Sequence, residues 1–146
     1  MVRLDTLKNK AEFDFVYRNA QRFFHKDFVL YVLKFSSTQE IYSLREQKVF
    51  QSIQSRDARL YLGLSISRKI GKAYVRNLIK RRIKAIVYEN CTDFKDVIFV
   101  LVAKEGIGEV DFITLKNNLL ASFAKIYNTQ RFRNTRVLHK TNHYAG

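Results

Sequence analysis

The chain contains no proline and no tryptophan, one cysteine and one methionine. The absence of proline has no evident physical reason in the sequence. The lone Cys91 excludes an internal disulfide framework and leaves no thiolate cluster for a metal. Acidic residues are scarce: thirteen Asp and Glu stand against 27 Lys and Arg, a net charge of +14 over 146 residues and a pI near 10.1. That balance points to a polyanion, either nucleic acid or an anionic membrane surface. No apolar run approaches the roughly 18 residues of a membrane span. The opening MVRLDTLKNK is too polar for a secretory core, so a cytoplasmic setting is expected. Two-metal phosphoryl chemistry needs clustered carboxylates. The candidates are Asp93 with Asp96, and Glu105 with Glu109 and Asp111. All fall in loops or at helix ends, where capping or charge balance is the simpler role. His139 and His143 are spaced i, i+4 beside the terminus, and His25 has no evident nucleophile partner. No catalytic residue and no protein-held metal is assigned.

What the chain does have is a basic run of seventeen residues at 68–84, RKIGKAYVRNLIKRRIK, with eight Lys or Arg and no acid. Gly71 ends the preceding segment, and a helical period starts at Tyr74. Val75, Ile79, Ile83, Ile86 and Val87 fall within one arc of about 100°. Arg76, Lys80 and Lys84 stack at i, i+4, i+8 on a second face, which Asn77 and Arg81 extend. Like charges at i, i+4 cost a few tenths of a kcal/mol each, so an anionic partner is expected to offset them. Arg82 lies near the apolar arc, with its stem expected to pack and its guanidinium to reach water.

Just upstream, RLYLGLSISR at 59–68 alternates Leu60, Leu62, Leu64 and Ile66 with Tyr61, Gly63, Ser65 and Ser67, the period of a half-buried strand. Gly63 is on the non-core side, where a missing side chain admits another backbone or a ligand. The stretch GLSISRKIGKAYVRNLIKRRIK resembles the signature of the protein subunit of bacterial ribonuclease P, GLS(V/I)S(K/R)K followed by Gly, Ala and RNxxKRxxR. Three positions depart from it. Lys84 stands for the last Arg and lacks its bidentate fork, Leu78 fills a slot that is often Arg, and Arg82 replaces a common apolar residue.

The remaining chain reads as follows. Residues 4–21 form a first helix with two stripes: Leu4, Leu7, Ala11 and Phe15, then Phe13, Val16, Tyr17 and Ala20. Either all are core, or Phe13 and Tyr17, one turn apart, form a partly exposed platform for stacking single-stranded RNA. Phe23, Phe24 and His25 make a short edge segment. Phe28 to Phe35 is apolar on both sides and is a strand; Tyr31 is either core or part of a binding surface. Residues 36–57 are an inserted loop or helix, with a capping box at Ser37-Thr38-Gln39-Glu40 and a weak stripe of Ile41, Leu44, Phe50 and Ile53. VIFVLVA at 97–103 is a buried strand. Asp111 caps a last helix running through Tyr127.

The pattern predicts an α+β fold, an α/β sandwich with about four strands in a mixed sheet and helices on one side, in the order α-β-β-α-β-α. Residues 1–128 form one RNA-binding domain and 129–146 a basic flexible tail. The resemblance implies a left-handed βαβ crossover through the RNxxKR helix. It implies that Arg68, Lys69, Lys72, Arg76, Asn77, Lys80, Arg81 and Lys84 bind RNA, and that Phe13, Tyr17 and Tyr31 line a cleft for the 5′ leader of precursor tRNA. It further implies a subunit of a tRNA 5′-maturation endoribonuclease whose active site is in its RNA subunit. That RNA and precursor tRNA are the implied partners, and Mg2+ is held mainly by the RNA. A structural RNA-binding protein of the ribosome or its assembly is the alternative, since it would share the basic helix.

Overall fold

The apolar run at 97–103 becomes the centre of a sheet. The computed structural model describes residues 3–35, 42–91 and 96–139, with side chains through Ile126. Its elements are β1 (Leu4–Thr6), α1 (Lys10–Asn19), β2 (Gln21–Phe24), β3 (Phe28–Lys34), α2 (Leu44–Gln54), β4 (Leu60–Ser65), α3 (Ala73–Glu89), β5 (Val97–Ala103) and α4 (Phe112–His139). The strands lie in the order β1-β4-β5-β3-β2. β5 is parallel to β4 and antiparallel to β3, so the sheet is mixed. The unit β4–α3–β5 joins two neighbouring parallel strands through the basic helix. Among the described residues no helix is long and apolar enough to cross a membrane.

The α+β class and the mixed sheet match the sequence expectation; several details differ. The sheet has five strands, because Leu4, Asp5 and Thr6 pair with Leu60, Tyr61 and Leu62 instead of starting the first helix. Asn9 sets the true helix start: its side chain accepts the Glu12 backbone N–H at 3.1 Å, satisfying a donor that the first turn leaves open. The helix ends at Asn19 because the chain must turn into β2 at Gln21.

Helices cover both faces, not one. On one side Ile79, Ile83, Ile86, Leu119 and Phe123 from α3 and α4 pack on Leu30, Leu62, Phe99 and Leu101. On the other, Phe15, Val16, Phe50 and Ile53 from α1 and α2 pack on Leu33, Tyr61, Ile98 and Val100. A strand buried on both faces reads as a continuous apolar run, which is why VIFVLVA lacks alternation.

The inserted segment carries α2, while its expected capping box at 37–40 lies outside the described residues. A box forms further along, at 43–46: the Glu46 N–H donates to Ser43 Oγ at 3.1 Å and the Ser43 N–H to Glu46 Oε1 at 3.3 Å. Phe50 and Ile53 of the expected stripe are buried, Leu44 is exposed, and Ile41 lies outside the described residues. At the other end of the chain, α4 continues past Tyr127 to His139.

Candidate nucleic-acid interface

Strand β4 has two faces with different work. Leu60 and Leu62 join the core under α3 and α4. Tyr61 joins the core under α1, and Gly63 meets α1 directly. The chain then passes through a 3-10 turn, Arg68–Ile70, and Lys72 becomes the N-cap of α3 with no side-chain cap bond. Arg76 Nε donates to the Gly71 carbonyl at 3.1 Å. Arg76 thereby braces this turn, and one of its five donors is committed to the fold.

Helix α3 buries Ile79, Ile83, Ile86 and Val87; Val75 is half-buried. Arg68, Lys69, Lys72, Asn77, Arg81 and Lys84 are exposed, and Arg76 and Lys80 are half-buried. Arg82 is half-buried, and its guanidinium also has a partner within the fold. It donates to the Val110 carbonyl at 3.0 Å and ties α3 to the start of α4. The first turn of α3 holds no acid, so the positive end of the helix adds to Arg68, Lys69 and Lys72 instead of offsetting them.

The two predicted groups of residues meet at one cavity of about 190 Å³, lined by Thr6, Leu7, Phe13, Gly63, Lys80 and Lys84 together with Leu62 and Leu64. It lies where β1 ends. The Leu7 N–H closes the pairing on Leu62 at 3.0 Å, and β4 continues past that point without β1 beside it. The space that Gly63 leaves is filled from within the chain. A Cβ there would stand 2.8 Å from Phe13 Cε2 and 2.9 Å from Leu7 Cδ1, closer than real contacts allow.

From Phe13 the rings form a row. Phe13 and Tyr17 have centroids 6.2 Å apart, and Tyr17 and Tyr31 4.9 Å apart at 60°. All three are half-buried, so Phe13 and Tyr17 are partly exposed rather than wholly core. Burial pushes the Tyr17 hydroxyl pKa up, partly offset by a hydrogen bond with Ser65, while Tyr31 and Asp14 push it further up. Tyr17 is thus uncharged beside the lysines. Asn77 and Arg81 do not share this cavity; they lie on the outer face of α3, away from its buried arc.

Two of the candidate carboxylates, Asp96 and Asp111, serve the fold. Asp96 pairs with Arg59, whose Nη2 donates at 2.8 Å. Asp111 accepts the Thr114 N–H at 2.7 Å as the cap of α4. Hydrogen bonds from the Thr114 backbone and hydroxyl hold its carboxyl below the usual range. Asp93 and His143 lie outside the described residues, as does the side chain of His139. His25 stacks on Phe28 with centroids 4.5 Å apart, and its Nδ1 accepts the Asp27 N–H at 3.1 Å. Sequence reasoning did not single out Ser65, although strand alternation from Gly63 puts it on the same face.

Fold and site define a class: a small, strongly basic α+β protein that sets a cationic helix beside a row of half-buried rings. The family model Ribonuclease P matches residues 1–127. The ribonuclease P protein component of Helicobacter hepaticus is 78% identical over 146 residues, covering all of both chains. That of Helicobacter acinonychis is 34% identical over 122 residues, 84% of this chain and 78% of the other. The structure of the Staphylococcus aureus RNase P protein, 22% identical, matches with a TM-score of 0.62 over 83% of this chain and 95% of that one, which supports the fold. The chain belongs to the ribonuclease P protein family. It is the protein part of a tRNA-processing ribonuclease whose catalytic RNA lies elsewhere, which decides against the ribosomal alternative.

Proposed function

We propose that this chain holds the ribonuclease P RNA subunit with the basic face of α3 and the single-stranded 5′ leader of precursor tRNA with the row Phe13–Tyr17–Tyr31. The observation that carries the reading is the cavity shared by Phe13, Lys80 and Lys84. Stacking surface and phosphate-binding charge meet there on two elements far apart in sequence. Such a groove grips a strand by ring faces and backbone charge, with little discrimination among bases. Mature tRNA offers no such strand at its 5′ end, so the groove favours precursor over product. Magnesium serves the holoenzyme from sites mainly on the RNA.

The test is binding by the reconstituted holoenzyme. Phe13→Ala or Tyr17→Ala is expected to cost about 1–3 kcal/mol of affinity for a leader of several nucleotides. The cost for a single-nucleotide leader is expected to be close to zero. Equal losses for both substrates would refute the groove.

The charged side has its own measurement. Each phosphate contact contributes about 0.7–0.9 to the slope of log K against log salt. Lys80→Ala is expected to flatten that slope by close to one unit while the melting temperature stays put. An unchanged slope with a lower melting temperature would make Lys80 a structural residue.

A further inference from the structure

The ring row does not stop at Tyr31. Arg22 on β2 is the direct cross-strand partner of Tyr31, and Phe24 is the partner of Val29. Residues so paired stand side by side on one face. Phe23, between them, turns to the opposite face, where Lys125 of α4 lies over its ring at 5.9 Å. Arg22 and Phe24 therefore share the face of α1 and the groove. The Arg22 guanidinium carbon is 5.6 Å from the centre of the Phe24 ring, the geometry of a cation resting on an aromatic face.

Phe24 is 65% exposed. A single exposed apolar side chain is ordinary, but this one ends a continuous surface. The register joins Ser65 to Val102, Val102 to Val29 and Val29 to Phe24. Ser65, Val102 and Val29 are half-buried. With Phe24 they form a floor that crosses four strands, roughly 14 Å at about 4.8 Å per spacing. Two cations, Lys26 and Lys104, are exposed near this end, Lys104 Nζ donating to the His25 carbonyl at 3.0 Å, while Asp27 is buried and Glu105 is the exposed acid beside Lys104.

We infer that Phe24, with Arg22 on its face, is a further stacking site at the far end of the leader groove, taking a nucleotide beyond those held by Phe13, Tyr17 and Tyr31. This rests on the groove reading above. It extends that reading across the sheet, from the α3 side, where the catalytic RNA docks, to the β2 edge. A stacked base replaces water on an exposed ring, and Arg22 supplies both a second stacking plane and a charge for the adjoining phosphate. Phe24 thus sets how many leader nucleotides the holoenzyme feels.

The experiment compares precursor tRNAs with leaders of one, about four and about ten nucleotides, bound by holoenzyme reconstituted with the full chain. Phe24→Ala and Phe24→Leu are expected to weaken the longest leader about tenfold, and to leave the one-nucleotide leader and the melting temperature unchanged. Phe24→Trp, which keeps a ring, retains wild-type binding. Losses that are equal at all leader lengths, no loss for the longest leader, or full function with Leu would each overturn the proposal. Phe13→Ala run in parallel separates the two levels. If it remains leader-dependent while Phe24→Ala is silent, only the extension fails; if neither depends on the leader, the groove itself fails.

Discussion

Phe15→Ala is expected to cost about 3–5 kcal/mol of folding stability, the range for removing a buried ring. Phe15 is 1% exposed. Its ring centre lies 5.2 Å from Tyr42, edge-on, and 5.7 Å from Phe50. The truncation therefore loses buried area and leaves a cavity between α1 and the inserted helix α2. The midpoint of thermal unfolding should fall by roughly ten degrees or more. The comparison with Phe13 gives the result its meaning. The two residues are two apart on one helix, yet one faces α2 and the other faces Gly63 and the lysines. Phe15→Ala should lower stability and keep the ratio of long-leader to single-nucleotide-leader affinity. A loss below about 1 kcal/mol would show that α2 is not part of the core.

Arg56→Ala is the second large effect, expected at about 3 kcal/mol. Arg56 lies just after α2 and gathers three elements. Its Nη1 donates to Glu12 Oε2 at 2.8 Å and its Nη2 to the Thr6 carbonyl at 3.1 Å. Its Nε stands 3.3 Å from Asp5 Oδ2, and its guanidinium lies over the Tyr61 ring. The Glu12 side chain is 4% exposed against 21% for Arg56. Removing the arginine leaves a buried carboxylate without its cation, a loss of about 3–5 kcal/mol in general. The lower end applies because Arg56 keeps some contact with water.

The same pair predicts a pH dependence. Burial pushes the Glu12 carboxyl pKa up. The Arg56 hydrogen bond, the Lys8 backbone N–H and the Arg56 charge pull it down by more, so the net shift is downward. A depressed carboxylate contributes its stability in full above the ordinary glutamate range and loses it as pH falls through the folded-state value. Wild type and Arg56→Ala should therefore differ most near neutrality and converge in acid. Unfolding measured from neutrality into the acid range checks this; a gap that is constant with pH would mean that Arg56 acts through packing alone.

How much of this was legible beforehand follows from the length of each signal. The basic helix and β4 were readable because each carries a period over six or more residues, and the buried arc of α3 came out as Ile79, Ile83, Ile86 and Val87. β1 was not, because three residues hold no period and it is a strand only through its partner, residues 60–62. Helices on both faces could have been inferred from the two-sided apolar character of β3 and β5, but that character says only that two layers exist, not which helix forms each. Family membership was legible from the strand-turn-helix signature alone.

By itself, then, the amino-acid sequence determined the charge, the two-faced basic helix, the central apolar strand and the set of aromatic candidates, since each is a local pattern of side chains along one element. Which of these face one another was decided only by tertiary structure. The order β1-β4-β5-β3-β2 brings α1 over Gly63, so that Phe13 meets Lys80 and Lys84, and brings Arg56 to Glu12 across 44 positions. A period records which side of an element is buried. Only long-range pairing, which closes the intervening loops and puts the buried sides together, selects the partner.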